Sequence, residues 1–174
     1  MYTLEQPTLI VNTRDIQPNA SRQHIIEWVA AVARKAPEGR LRDLVLNCST
    51  LPAFLQLGEG FDGSHLPLFM AWRGLIDKIW LPDYRIARIP EPAMQGQSLP
   101  DHPGCKTGDG NLFCSGLARN VHCHVVVPTE SQCDLFDSYP AGAISGFEGL
   151  VLSYGPDGYV TWSRRKPSAC VAGS

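Results

Sequence analysis

The stretch LRDLVLNC, Leu41 to Cys48, decides the fold class. Leu44, Val45 and Leu46 form an unbroken apolar run, the pattern of a strand covered on both faces. Immediately upstream lies a helical pattern. Asp15 to Ala20 is polar and contains Pro18 and Asn19, so it reads as a turn, and Ser21 can then cap a helix. Ile25, Val29, Val32 and Ala33 follow at helical spacing, with Ile26 and Ala30 widening the apolar face. Pro37 and Gly39 end it. Further upstream, Thr8 to Asn12 (TLIVN) is a short β-branched run and reads as another strand.

Downstream the alternation continues. Gly58, Gly60 and Gly63 mark a flexible loop. Ser64 then opens a second helix, with Pro67 in its first turn and Leu68, Trp72, Leu75 and Ile76 on its buried side. Lys78 to Leu81 is a third strand, which Tyr84 to Ile89 continues or follows. Pro90 to Gly110 holds four prolines and four glycines and reads as a long irregular loop. Asp109 or Asn111 caps a third helix through Arg119, and Val121 to Val127 (VHCHVVV) is the next strand. A second long connection covers Pro128 to Gly146. Leu150 to Tyr154 and Tyr159 to Trp162 then flank Gly155-Pro156-Asp157-Gly158 as a hairpin.

Strands alternating with helices predict an α/β fold: a mostly parallel central sheet, helices on both faces and a C-terminal β-hairpin. One domain over 1–163 with a flexible tail over 164–174 is expected. Chemistry in such folds gathers beyond the carboxyl ends of the strands. Here those ends are Asn12 to Asp15, Asn47 to Thr50, Pro82 to Tyr84 and Pro128 to Gln132.

Composition narrows the function classes. The chain of 174 residues is 44% hydrophobic and 18% charged, with a net charge of -2, which suits a globular domain and argues against disorder. It has no basic run interleaved with aromatics, so a nucleic-acid partner is not expected. No stretch approaches the roughly 20 apolar residues of a membrane span. Met1 to Gln6 is polar, so no secretory leader is expected and a cytoplasmic location is. Most of Cys48, Cys105, Cys114, Cys123, Cys133 and Cys170 are read as reduced thiols, one disulfide from Cys105 remaining an alternative.

The segment LVLNCSTLPAFLQLGEG, Leu44 to Gly60, resembles a pattern of the caspase-like cysteine peptidases of the gingipain and CHAT type. In that family an apolar strand ends in His-Gly, the His being the catalytic base. Related bacterial sequences then carry Pro-Gly and a Leu-x-Leu-Gly stretch. Leu55-Gln56-Leu57-Gly58 matches that stretch, whereas Ser49 and Thr50 stand where His-Gly belongs. The family's next strand ends in the nucleophilic Cys, and in KIWLPDYRIARI the residue at that place is Tyr84. Gly110, Phe113, Leu117 and Ala118, running into Val121 to Val127, are similar to a later family segment. The resemblance spans Leu9 to Gln132 and implies a caspase-like fold with both catalytic roles vacant. A serine hydroxyl accepts no proton near neutral pH, so Ser49 does not replace an imidazole. The expectation is a catalytically silent domain that binds a protein or peptide, with no cofactor.

Two other chemistries are carried forward. A cysteine hydrolase needs a thiol beside a base. The candidates are Cys48 with His65, the nearest downstream His, then His102 with Cys105, and Cys133 with His122 or His124. A metal-binding domain is the other alternative: His122 and His124 share one side of a strand and can bind zinc with Cys105, Cys114 or Cys133. Against these stand plainer readings: Cys48 as a small buried hydrophobe, and Asp15, Asp83 and Glu130 as solvated carboxylates or helix caps rather than an acidic site. Trp28, Trp72, Trp80 and Trp162 read as core anchors.

Overall fold

The computed structural model describes residues 13–130, 147 and 149–166. The strand expected at Thr8 to Asn12, the connection over 131–146, and Cys133 and Cys170 lie outside them. The fold is α/β. Its five-stranded sheet has the order β1 (Leu41–Val45), β4 (Ile76–Trp80), β5 (His124–Pro128), β6 (Gly149–Tyr154), β7 (Val160–Lys166). A small antiparallel pair, β2 (Thr50–Leu51) and β3 (Phe54–Leu55), follows β1.

The sheet is mixed, which corrects the expectation of a mostly parallel one. β1 and β4 pair parallel, as do β4 and β5. β6 runs antiparallel to β5, and β7 antiparallel to β6. Apolar patterning identifies a strand but carries no direction; the β6–β7 hairpin joins the sheet through β6, against the run of β5. β7 extends to Lys166, so the first three residues assigned to the tail are paired with β6.

Among the described residues the helices lie on one face, not two. The order β1-β4-β5 advances across the sheet in one direction, and right-handed crossovers then place successive connecting helices on the same side. Leu44, Leu46, Ile79, Leu81, Val125 and Val127 face that layer. It is built from α1 (Arg22–Lys35), a 3-10 helix over Gly63–Trp72 and α2 (Gly110–Val121). Val45, Trp80, Val126 and Val151 point the other way, and the Phe147 ring meets Trp80 edge-on at 5.8 Å between centroids.

Local chemistry explains the element ends. The Ser21 side chain accepts from the His24 N–H at 3.1 Å and caps α1. Asp109, rather than Asn111, caps α2 by accepting from the Leu112 N–H at 3.1 Å. Asn111 instead accepts from the Tyr154 hydroxyl at 2.7 Å. The expected second α-helix is a 3-10 helix capped by Asp62, not by Ser64. Its apolar side repeats every three residues through Leu66, Phe69 and Trp72, which fits three residues per turn. Leu68, expected inside, is therefore exposed. Tyr84 to Ala87 is a 3-10 turn rather than strand, because the Asp83 side chain caps it. The Trp72 and Trp80 indoles donate to the Ile26 carbonyl and the Asp43 carboxylate, so neither buried N–H is orphaned.

His122 does not lie on a strand. It is the C-cap of α2 with φ 60° and ψ 50°, and β5 begins only at His124. A histidine in this left-handed conformation is strained where glycine is not. His122→Gly is therefore expected to stabilise the fold by about 1 kcal/mol. Urea unfolding checks this, and an unchanged or lowered midpoint contradicts it.

Candidate functional site

α1, the 3-10 helix and α2 all begin at the carboxyl end of the parallel strands, since each leads back to the amino end of the next one. The loops after β1 and β4 meet there. The backbone N–H of Thr50 donates to Asp83 Oδ2 at 2.9 Å. The same carboxylate accepts from the Arg85 N–H at 3.1 Å and from Arg85 Nη2 at 2.6 Å. Burial alone drives the Asp83 carboxyl upward, but the hydrogen bonds from Arg85 and Thr50 outweigh it and hold it below its ordinary 3.8. Tyr84 follows directly, with the Arg88 guanidinium 4.6 Å over its ring.

Thr50, and Asp83 next to Tyr84, are therefore in contact, which brings together the two segments where the resemblance expected catalytic groups. Ser49 is exposed, Thr50 buried and Tyr84 half-buried. The thiol beside them, Cys48, is pushed up to about 12, first by burial and then by the Asp83 charge. It stays protonated near neutral pH, and no hydrogen bond joins it to a histidine among the described residues.

A cleft of about 490 Å³ opens against β1 at this end. Ile25, Trp28 and Val29 of α1, with Leu44 and Leu46, form its apolar wall. Arg14, Asn47, Ser49, Gln56 and His102 supply polar groups. Arg14 stacks on Trp28 at 4.5 Å. Gly58 lines the cleft at φ 58°, and a Cβ there would sit 2.5 Å from the Ala20 carbonyl oxygen, so the loop expected to be flexible is packed tightly against the entry to α1.

A second cluster occupies the helical side of the same rim. One ligand atom each from Asp62, His65 and Cys105 lies within 4.8 Å of the others. Asp62 and His65 form a capping box: the Asp62 N–H donates to His65 Nδ1 at 3.0 Å. The Asp62 carboxylate accepts from the Ser64 N–H at 2.9 Å and from the Lys106 N–H at 2.8 Å. Cys105 is 1% exposed. Its sulfur accepts from Arg22 Nη2 at 3.3 Å and donates to the Gly60 carbonyl at 3.8 Å. Burial raises the Cys105 thiol although Arg22 opposes it. Burial and then Arg22 lower the His65 imidazole, with Asp62 opposing, so the ring is neutral near pH 7.

Of the pairs expected from the sequence, His102 does not serve Cys105. Its ring packs on Phe54 at 4.9 Å between centroids, and Cys105 meets His65 instead. Cys48 and His65 belong to different regions of the rim. His122 caps a helix in the open while His124 pairs with Lys78 in the sheet, so they do not form a zinc pair. Cys133 lies outside the described residues. Asp15, Asp83 and Glu130 do not converge either. Asp62 escaped the sequence reading, although the Asp-x-x-His spacing of a capping box was visible in it. Arg22 carried no signal, because its partners lie 37, 38 and 83 residues away. No family model matches the sequence, and neither a curated protein nor a solved structure matches it.

Asp83→Asn removes a charge-assisted anchor and is expected to cost roughly 1–3 kcal/mol. Because the folded carboxyl titrates below its ordinary 3.8, its contribution is full above that value and disappears as pH falls through the depressed one. The variant's stability should therefore fall less steeply on acidification than the parent's. Parallel acid limbs in denaturation from pH 6 to pH 2 would show that Asp83 is not the anchor.

Proposed function

We propose that this domain is a catalytically silent caspase-like domain that holds an extended peptide of a protein partner in the cleft beside β1. One observation carries the reading. The tips of β1 and β4 are joined through Thr50 and Asp83, and the thiol beside that junction is Cys48, held protonated. Peptide cleavage by the family's chemistry requires a thiolate and an imidazole at those tips. Ser49, Thr50 and Tyr84 supply neither. The cleft's make-up suits a peptide: apolar walls take side chains, while the Gln56 amide, the Asn47 amide and Arg14 meet peptide groups. The free thiols of Cys48, Cys105, Cys114 and Cys123 accord with a reducing, cytoplasmic setting. No described helix is long and apolar enough to cross a membrane.

The convergence of Cys105 on His65 and Asp62 favours a second reading, a hydrolase with a displaced dyad. Its weakness is burial, which excludes substrate from the sulfur and disfavours the thiolate.

Phage display of random peptides against the full chain separates the two. Silent binding predicts enriched peptides that remain intact, and their loss when exposed Ser49 is replaced by Trp to fill the cleft. Failure to enrich any peptide, or binding unaffected by Ser49→Trp, counts against the cleft. Rapid alkylation of Cys105 by iodoacetamide at pH 6, slowed by His65→Ala, would establish the hydrolase instead.

A further inference from the structure

We propose that Asp62, His65 and Cys105 form a zinc site with one open coordination position. The inference does not depend on peptide binding in the cleft.

The donor set is the first reason. A thiol, an imidazole and a carboxylate together suit zinc, whereas magnesium and calcium take oxygen ligands. A tetrahedral zinc with bonds of about 2.0–2.3 Å needs its ligand atoms roughly 3.5 Å apart. The three atoms here lie within 4.8 Å of one another, and Asp62 Oδ1 is already 3.0 Å from His65 Nδ1. Shifts of about an ångström or less at the side chains bring all three into bonding range.

The second reason is how the ligands are held. Asp62 Oδ1 accepts from the Ser64 N–H and hydroxyl, and Oδ2 from the Lys106 N–H, so its carboxylate is oriented by three donors before any ion arrives. Such outer partners are what position metal ligands elsewhere. The Asp62 N–H donating to His65 Nδ1 leaves the ring proton on Nε2, the tautomer that a metal at Nδ1 requires. The Asp62 and Cys105 side chains are buried and His65 is partly open, so an ion enters past the imidazole and solvent completes its coordination.

The third reason is charge. Arg22 places its guanidinium among the Cys105 sulfur, the Gly60 carbonyl and the Glu59 carboxylate. The pocket already holds a cation, and Asp62 and Glu59 together carry one more negative charge than Arg22 balances. Zinc binding exchanges the Arg22–sulfur contact and the Asp62 N–H contact for bonds to the ion, while Arg22 keeps Glu59 and Gly60. The Cys105 S–H bond breaks as the S–Zn bond forms, and the proton passes to solvent; no electron is transferred.

The test uses the full chain, stripped with chelator and titrated with zinc chloride against a chromophoric competitor. One zinc per chain is expected, with affinity at least tenfold lower in Cys105→Ser and in His65→Gln and unchanged in Cys123→Ser and His24→Ala. Cobalt(II) loading of the unaltered chain is the control against misfolded variants, and it should give the near-ultraviolet charge-transfer band of a thiolate ligand. Substoichiometric zinc, equal affinity in Cys105→Ser, or cobalt binding without the thiolate band overturns the assignment.

Discussion

A single carboxylate organises the end of the sheet where ligands would bind. Asp83 is 7% exposed, yet it remains ionised because a backbone N–H from the loop after β1 and the amide and guanidinium of Arg85 all point at it. A buried backbone donor left unpaired is destabilising. Asp83 supplies the missing acceptor for Thr50 and thereby fixes the β1 tip against the β4 tip. Asp62 acts in the same way in the helical layer, joining the start of the 3-10 helix to the loop at Lys106 across 44 residues.

This arrangement has a chemical consequence. An acceptor whose lone pairs are occupied by structural amides is a poor proton shuttle, and Asp83 raises the Cys48 thiol further by its charge. The junction of the two strand tips is therefore chemically quiet. In the cluster around Cys105, by contrast, a thiol, an imidazole and a carboxylate meet in the presence of a guanidinium. There burial suppresses nucleophilic chemistry but leaves the donor set of a metal site. Two regions of one rim thus differ in make-up: one is a shaped, partly apolar cleft, the other a set of converging ligand atoms.

The helical layer shares in this division. Because β1, β4 and β5 advance in one direction, their two crossovers, through the 3-10 helix and α2, stack on one face; α1 packs against the 3-10 helix there, so three helix starts meet the same rim. Arg22 opens α1, Asp62 caps the 3-10 helix and Cys105 lies just before the Asp109 cap of α2. The clustering of chemistry-bearing residues follows from that topology.

The sequence by itself determined the elements whose signals are local: the Ser21 cap and α1, the apolar strands β1, β4 and β5, the helix α2 with its cap narrowed to Asp109 or Asn111, and the hairpin turn at Gly155 to Gly158. Caps, periodicities of 3.6 and 2, and turn residues act over a few positions and can be read in one chain. It also showed that Ser49, Thr50 and Tyr84 carry neither an imidazole nor a thiol. Only the tertiary structure decided the direction of β6, the single helical face and the meeting of Asp62, His65, Cys105 and Arg22. Strand direction is a property of pairing, and the Arg22–Cys105 contact joins residues 83 positions apart. No local pattern encodes such a distance; it is set when the buried faces of Ile25, Phe69 and Phe113 pack into one core.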